Sequence, residues 1–212
     1  MATIHDGTAY SQQLQQAACE QLVRLGGECL AQIQVTSGQN MTPILRQVAA
    51  LNPDVLYLPV YTVDGVAITN GAKDAGLVNT ALISSDGLLS SDFISQTYQS
   101  AQGMYLSGPA PVKESQAFLE TYKTRYGEDP IASYSTYGYD AAMMLIGAME
   151  QVGALSGETV YIPRQALRDA LYGIRGMKGL SGVLTCSTSG DCASPNIQIF
   201  QIIQNEFVPI YP

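Results

Sequence analysis

One pattern recurs along this chain and leaves few folds open. A short apolar run ends in a polar or aromatic tip, and a stretch with helical spacing follows. It occurs at ATIHDGTAY (2–10), at DVLYLPVYTVD (54–64) and at TALISSDG (80–87). Strand then helix, repeated with short connections, predicts a parallel sheet with helices on both faces and right-handed crossovers. Neighbouring parallel strands end at one edge, so Tyr10, Tyr61 and Asp86 are expected together there. In open α/β sheets that carboxyl edge is where ligands bind. Two phenols and one carboxylate make a poor catalytic set but a good collar for a small cationic group.

The element pattern is legible for the first hundred residues. Strands are predicted at 2–6, 28–35, 54–60, 80–84 and 103–107, the second with one wetter face, as at a sheet edge. Helices are predicted at 10–25, 43–51, 64–75 and 90–99, the first with Leu14, Ala18, Leu22 and Leu25 on its buried face. Gly26-Gly27 stops that helix, and Pro43 opens the next. The alternation then breaks. GPAP (108–111) is a stiff segment, and three helical patterns follow at 113–126, 134–152 and 163–175 without a strand between them. Three β-like runs close the chain at 181–185, 196–204 and 207–211. We therefore expect residues 1–107 and 183–212 to form one α/β domain. Residues 113–175 form a helical block, and 108–112 and 176–182 are the crossovers.

Composition narrows the function. The formal charge of −8 opposes nucleic acid and anionic membrane surfaces alike. No apolar run reaches the roughly 18 residues of a membrane span. The N-terminus enters a strand pattern directly, without the basic and apolar regions of a signal peptide, so Met1 is expected to be an artificial start. Cys186 and Cys192 flank the turn in CSTSGDC, an arrangement suited to a disulfide. Cys19 in a helix and Cys29 early in the next strand are placed to meet as well; the alternative is two small buried apolar residues. Bridges of this kind favour an oxidising, extracytoplasmic compartment. The cysteine spacing is not CxxC, and His5 is the single histidine, so neither a metal nor a cofactor is expected. No GxSxG, phosphate loop or GxGxxG is present, so no enzyme activity is expected.

Each candidate has a structural alternative. Asp86 sits where a helix cap could be, although Ser90 and Ser91 are better placed to cap. Tyr61 beside Pro59 could cover the sheet edge, and Tyr10 could pack at a helix start. His5 and Asp6 point to opposite faces of a strand, with Asp6 expected to hold the loop around Gly7. Ser84 and Ser85 are expected to bond their loop.

Several segments, in order, resemble the second half of the branched-chain amino-acid-type periplasmic binding proteins. They are IHDGTAYSQQL, PDVLYLPVYTVD, KDAGL with LISSDG, AQGMYLSGPAP, AFLETYKTRYGEDPIASYSTYGYDAAMMLIGAME and GLSGVLTCSTSGDC. The resemblance spans essentially the whole chain. That family comprises the solute receptors of ABC importers, with the two-lobed type I fold. It implies that residues 1–107 and 183–212 form lobe II and that 113–175 is the helical portion of an incomplete lobe I, whose opening half is absent. It also implies ligand contacts from Tyr10, Tyr61 and Asp86, with the acid on an α-ammonium. The chain departs from the family at Ser11 and Gln13, at Thr62-Val63-Asp64 after Tyr61, and in the short acid Asp86, which leaves the side-chain preference open. The implied function is capture of a small amino acid in an interlobe cleft for ABC-type import. The alternative is a ligand-sensing domain of a receptor or transcription regulator with this fold. Implied partners are the amino acid and the transporter's membrane subunits, with no nucleic acid. The implied location is periplasmic or lipid-anchored at the cell surface. Helices that lack their sheet should expose Ala141, Leu145 and Ala148 and drive self-association.

Overall fold

The computed structural model describes residues 1–110, 112, 116–130, 134–192 and 196–211. In chain order the first elements are β1 (Ala2–His5), α1 (Ala9–Arg24), β2 (Ala31–Gln34), α2 (Thr42–Ala49), β3 (Val55–Leu58) and α3 (Thr62–Gly71). They continue with β4 (Ala81–Ser84), a single 3-10 turn (Asp86–Leu88), α4 (Ser91–Thr97), a second 3-10 turn (Tyr98–Ala101) and β5 (Tyr105–Pro109). Then come α5 (Gln116–Tyr126), α6 (Ser135–Val152), β6 (Ala154–Ser156), β7 (Thr159–Tyr161), α7 (Arg164–Tyr172), β8 (Met177–Lys178) and β9 (Val183–Leu184). The strands β10 (Ile197–Ile203) and β11 (Glu206–Tyr211) close the chain. Residues 111, 113–115, 131–133, 193–195 and 212 lie outside the described residues, and with them parts of the expected 108–112 crossover and 113–126 helix.

The chain divides into two units, Met1–Pro109 with Ile197–Pro212, and Ala110–Asn196. The first holds a seven-stranded sheet in the order β11-β10-β5-β4-β3-β1-β2. The strands β1 to β5 are parallel to their neighbours, whereas β10 runs antiparallel to β5 and β11 antiparallel to β10. β2 is an edge strand, as its wet face predicts. The turn between β10 and β11 uses Gln204 and Asn205, both at positive φ, as a two-residue I′ turn requires. Because the chain steps outward from β1 to β2 and then back past β1 to β3, right-handed crossovers put α1 on one face and α2, α3 and α4 on the other.

The two faces are not alike. Register places Ala2 against Leu56 and Thr3 against Tyr57. Ala2, Ile4, Leu56, Leu58 and Val60 join Leu45 and Val48 of α2, Ile68 of α3 and Phe93 of α4 in one buried cluster. Burying one such side chain contributes about 1.5–3 kcal/mol. No α1 residue belongs to that cluster. The buried row of α1 is Ser11, Gln15 and Cys19, not the predicted leucine face; Leu14, Ala18 and Leu22 are half-buried and Leu25 is exposed. The reason is the sheet face it covers, where Thr3 and His5 are buried polar residues of β1. Polar and covalent links hold the helix there. Ser11 Oγ donates to Asp6 at 2.7 Å, Gln15 Nε2 donates to Gln32 Oε1 at 3.2 Å, and Cys19 is bridged to Cys29. A bridge closing so short a loop contributes about 2–3 kcal/mol in the chain-entropy account.

Helices α1, α2 and α3 begin one or two residues before their predicted starts and end before their predicted ends, and Gly108 and Pro109 extend β5 instead of opening a crossover. The second unit contains α5 to α7 and two ribbons, β6 with β7 and β8 with β9, which the helical reading did not foresee. Gly157 at positive φ makes the tight turn of the first ribbon. Residues 183–196 also group with this unit, so the return crossover lies at 196–197 and not at 176–182. β9 pairs with β8, and Leu184 and Cys186 pack on Met144, which accounts for the later return. Cys186 is bridged to Cys192. Within α6 the buried Asp140 carboxylate accepts the Leu180 and Ser181 amides at 2.7 Å each and the Ser181 hydroxyl. Helices α5 and α7 contribute no buried residue. Ala141 and Leu145 are exposed as expected, whereas Ala148 is buried.

Candidate functional site

The site is built at the carboxyl ends of β1, β3 and β4. Between β1 and β3 the strand order reverses, which in open α/β sheets opens a crevice for ligands. Tyr10 stands in the first turn of α1, Tyr61 is the N-cap residue of α3, and Asp86 begins the 3-10 turn after β4. The two tyrosine rings stack across the reversal with centroids 5.6 Å apart and planes inclined by 28°. The Tyr10 phenol donates to Asp86 Oδ1 and lies 3.0 Å from Ser85 Oγ. The three residues named from sequence therefore form one cluster, with Tyr61 half-exposed at 50%.

Local chemistry explains why these tips hold still. Asp6 is the hub. Its Oδ1 accepts the Thr8 amide at 3.0 Å, the Thr8 hydroxyl at 2.7 Å and the Ser11 hydroxyl at 2.7 Å. Burial acts to raise the Asp6 carboxyl, but these hydrogen bonds outweigh it and hold the group below its ordinary value. Thr8 caps α1 by accepting the Ser11 amide at 3.3 Å. His5 Nδ1 accepts the Gly7 amide at 3.2 Å, so His5 is spent on the loop. Gly87 sits where an added Cβ would lie 2.6 Å from the Val60 carbonyl oxygen, so only glycine lets the 3-10 turn close against the β3 tip.

The serines sort cleanly. Ser90 caps α4 by accepting the Phe93 amide at 3.2 Å, which removes capping of that helix as the role of Asp86. Ser84 donates to the Leu58 carbonyl across the strands. Ser85 reaches the Tyr10 phenol instead of its own loop. Sequence reading missed Tyr57. It is buried, and its phenol feels the Asp86 charge. The available signal was a lone hydroxyl-bearing residue within the apolar run VLYL.

Burial and the neighbouring Asp86 raise the Tyr10 phenol well above its ordinary value, and burial first, then Asp86, pushes Tyr57 up to about 12. Both phenols are thus neutral at neutral pH. A neutral aromatic pair around a carboxylate suits a desolvated cation, with the ring faces adding cation–π attraction. Among the described residues no group of three or more His, Cys, Asp or Glu could hold a metal ion. No helix among them is long and apolar enough to cross a membrane.

A profile of the periplasmic binding protein family matches residues 1–205. A curated relative, Leu/Ile/Val-binding protein homolog 3 of Brucella melitensis, is 21% identical over 203 residues, 95% of this chain and 53% of the relative. The chain thus spans about half the length of the curated relative it matches. The leucine-binding protein LivK of Thermotoga maritima superposes with a TM-score of 0.80 at 21% identity, over 99% of this chain and 59% of that one. The branched-chain amino acid transporter substrate-binding protein LivJ of Streptococcus pneumoniae, solved with isoleucine, gives 0.74 at 16% identity, over 100% and 59%. At these identities the superpositions show the fold.

The raised phenols predict an alkaline effect on stability. A group whose folded pKa lies above its unfolded value contributes stability that is whole below the unfolded value and lost as pH rises through the folded one. For Tyr57 that window runs from 10.0 to about 12. Urea unfolding at pH 9, 11 and 12 should show wild-type stability falling through this window, and Tyr57→Phe should flatten the fall. Equal slopes in both proteins would refute the assignment.

Proposed function

The chain belongs to the periplasmic binding protein family, and from that membership we propose that it supplies one face of a solute-binding cleft for a small amino acid. The observation that carries this reading is the cluster of Tyr10, Tyr61 and Asp86 at the strand-order reversal. In this reading Asp86 takes the ligand ammonium, and the stacked rings shield the pair from water. A carboxylate flanked by ring faces suits an ammonium, through a charge-assisted hydrogen bond and cation–π attraction. No bond is made or broken. Binding energy would draw two lobes together, as hinge closure does in two-lobed receptors. In this reading the first unit is lobe II and the second a helical part of lobe I. The protein works outside the cytoplasm, in the periplasm or lipid-anchored at the surface, where its two bridges persist. It hands its ligand to the membrane subunits of an ABC importer. The curated and structural relatives named for branched-chain amino acids support that ligand class.

Calorimetry against the common L-amino acids tests the ligand class. We expect heat for at least one, and its loss in Asp86→Ala. Silence across the whole set would sink the amino-acid reading. The second unit carries exposed Leu119, Met143, Leu145 and Ile146, and α5 and α7 bury nothing. We propose that this surface associates with another copy. Light scattering should then give a mass above 22.6 kDa, and a monodisperse monomer would count against it.

A further inference from the structure

A second recess opens at the other end of the same sheet. It lies between the end of α3 and the amino ends of β4 and β5, within the first unit, at the edge opposite Tyr10, Tyr61 and Asp86. Its volume is about 280 Å³, just under the roughly 300–1,000 Å³ of drug-sized ligand sites. One group in its wall has no structural task. Thr69 lies inside α3 and is 2% exposed, yet its Oγ has no hydrogen-bond partner among the described residues. Other helical threonines of this chain behave differently. Thr97, Thr121 and Thr124 donate to the carbonyls of Phe93, Ala117 and Glu120, each four residues back. Thr69 forgoes the equivalent bond to Gly65. A buried hydroxyl without an acceptor is costly, so its proton calls for one from outside the chain.

The rest of the wall narrows what that acceptor can be. Thr80 is committed, its hydroxyl donating to the Pro53 carbonyl at 2.8 Å. Gln102 is committed at both ends, donating to Asn205 at 2.9 Å and accepting the Gln204 amide at 3.0 Å. The Ser100 hydroxyl and the Lys73 ammonium remain. Lys73 is exposed at the rim, and the ion pair found among the described residues is Lys123 with Asp129, so Lys73 has no acid of its own. Buried Leu77 and Met104 supply an apolar floor. We propose that this recess binds a small carboxylate with a short apolar tail, the acid held by Lys73, Thr69 and Ser100 and the tail by Leu77 and Met104. All three polar groups can donate, and an ionised acceptor makes the stronger bonds. Inorganic phosphate fits less well, because its charged oxygens would lie on the apolar floor. The site is separate from the proposed amino-acid face and does not depend on it.

Butanoate is the probe, added to the full chain. Titration followed by backbone amide NMR should give saturable shifts within residues 69–82 and 100–104, while 7–10 and 85–87 stay unmoved. Butanamide, which has nearly the same shape and no charge, should give none. Lys73→Gln, at an exposed position that the fold does not need, should abolish the response. Thr69→Val keeps the shape and removes the hydroxyl. It should weaken butanoate about threefold to tenfold, the loss of one hydrogen bond. It should also leave the thermal midpoint of the unliganded protein unchanged or raised, because no bond within the chain is lost. A hydroxyl held by a buried water would give the reverse, a lower midpoint with butanoate affinity intact, and that result overturns the proposal. No saturable shift with butanoate, equal shifts with butanamide, or phosphate binding as well as butanoate overturns it too.

Discussion

The fixing of helix α1 over a polar sheet face is the constraint on which the ligand face depends. α1 brings Tyr10, and no α1 residue joins the main apolar cluster. What holds the helix is the Asp6 hub at its start, the Gln15 to Gln32 contact in its middle and the Cys19 to Cys29 bridge at its end. Each link is modest alone, since a net hydrogen bond contributes about 0.5–1.5 kcal/mol. Together they span the helix and set its rotation. The Tyr10 ring held in this way stacks on Tyr61. The stacked pair is thus a consequence of how the β1 tip is wired.

The opposite face supplies rigidity of another kind. Leu45, Val48, Ile68 and Phe93 fill the space against β1 and β3, and Gly65 lies so near Leu88 that a side chain there would collide with it. That packing fixes α3 and the 3-10 turn carrying Asp86. Two physical regimes therefore converge at the strand tips. Apolar packing fixes Tyr61 and Asp86 from one side, and hydrogen bonds with a disulfide fix Tyr10 from the other.

Much of this was legible in the sequence because alternation of strand and helix is a strong signal. The five parallel strands, the edge position of β2 and the gathering of Tyr10, Tyr61 and Asp86 follow from it. The buried face of α1 did not, because hydropathy spacing selects Leu14 and Leu22 while the sheet beneath rewards Ser11 and Gln15. Tyr57 was hidden for a related reason: what lies beside it on β4 is adjacent only through strand register. Of the ribbon strands in the second unit only β9 falls in a predicted β run, 181–185; β6, β7 and β8 are two or three residues each, too short for periodicity to reveal. The return at 196–197 followed from that omission.

The central claim is that the strand tips meet a ligand's ammonium. Backbone NMR mapping with L-leucine, and with its des-amino analogue 4-methylpentanoate as control, tests it most directly. The account predicts that L-leucine perturbs residues 7–10, 61–63 and 85–87 and that the acid lacking the ammonium leaves them unmoved. Equal perturbation by both compounds, or perturbation centred away from these tips, would contradict it.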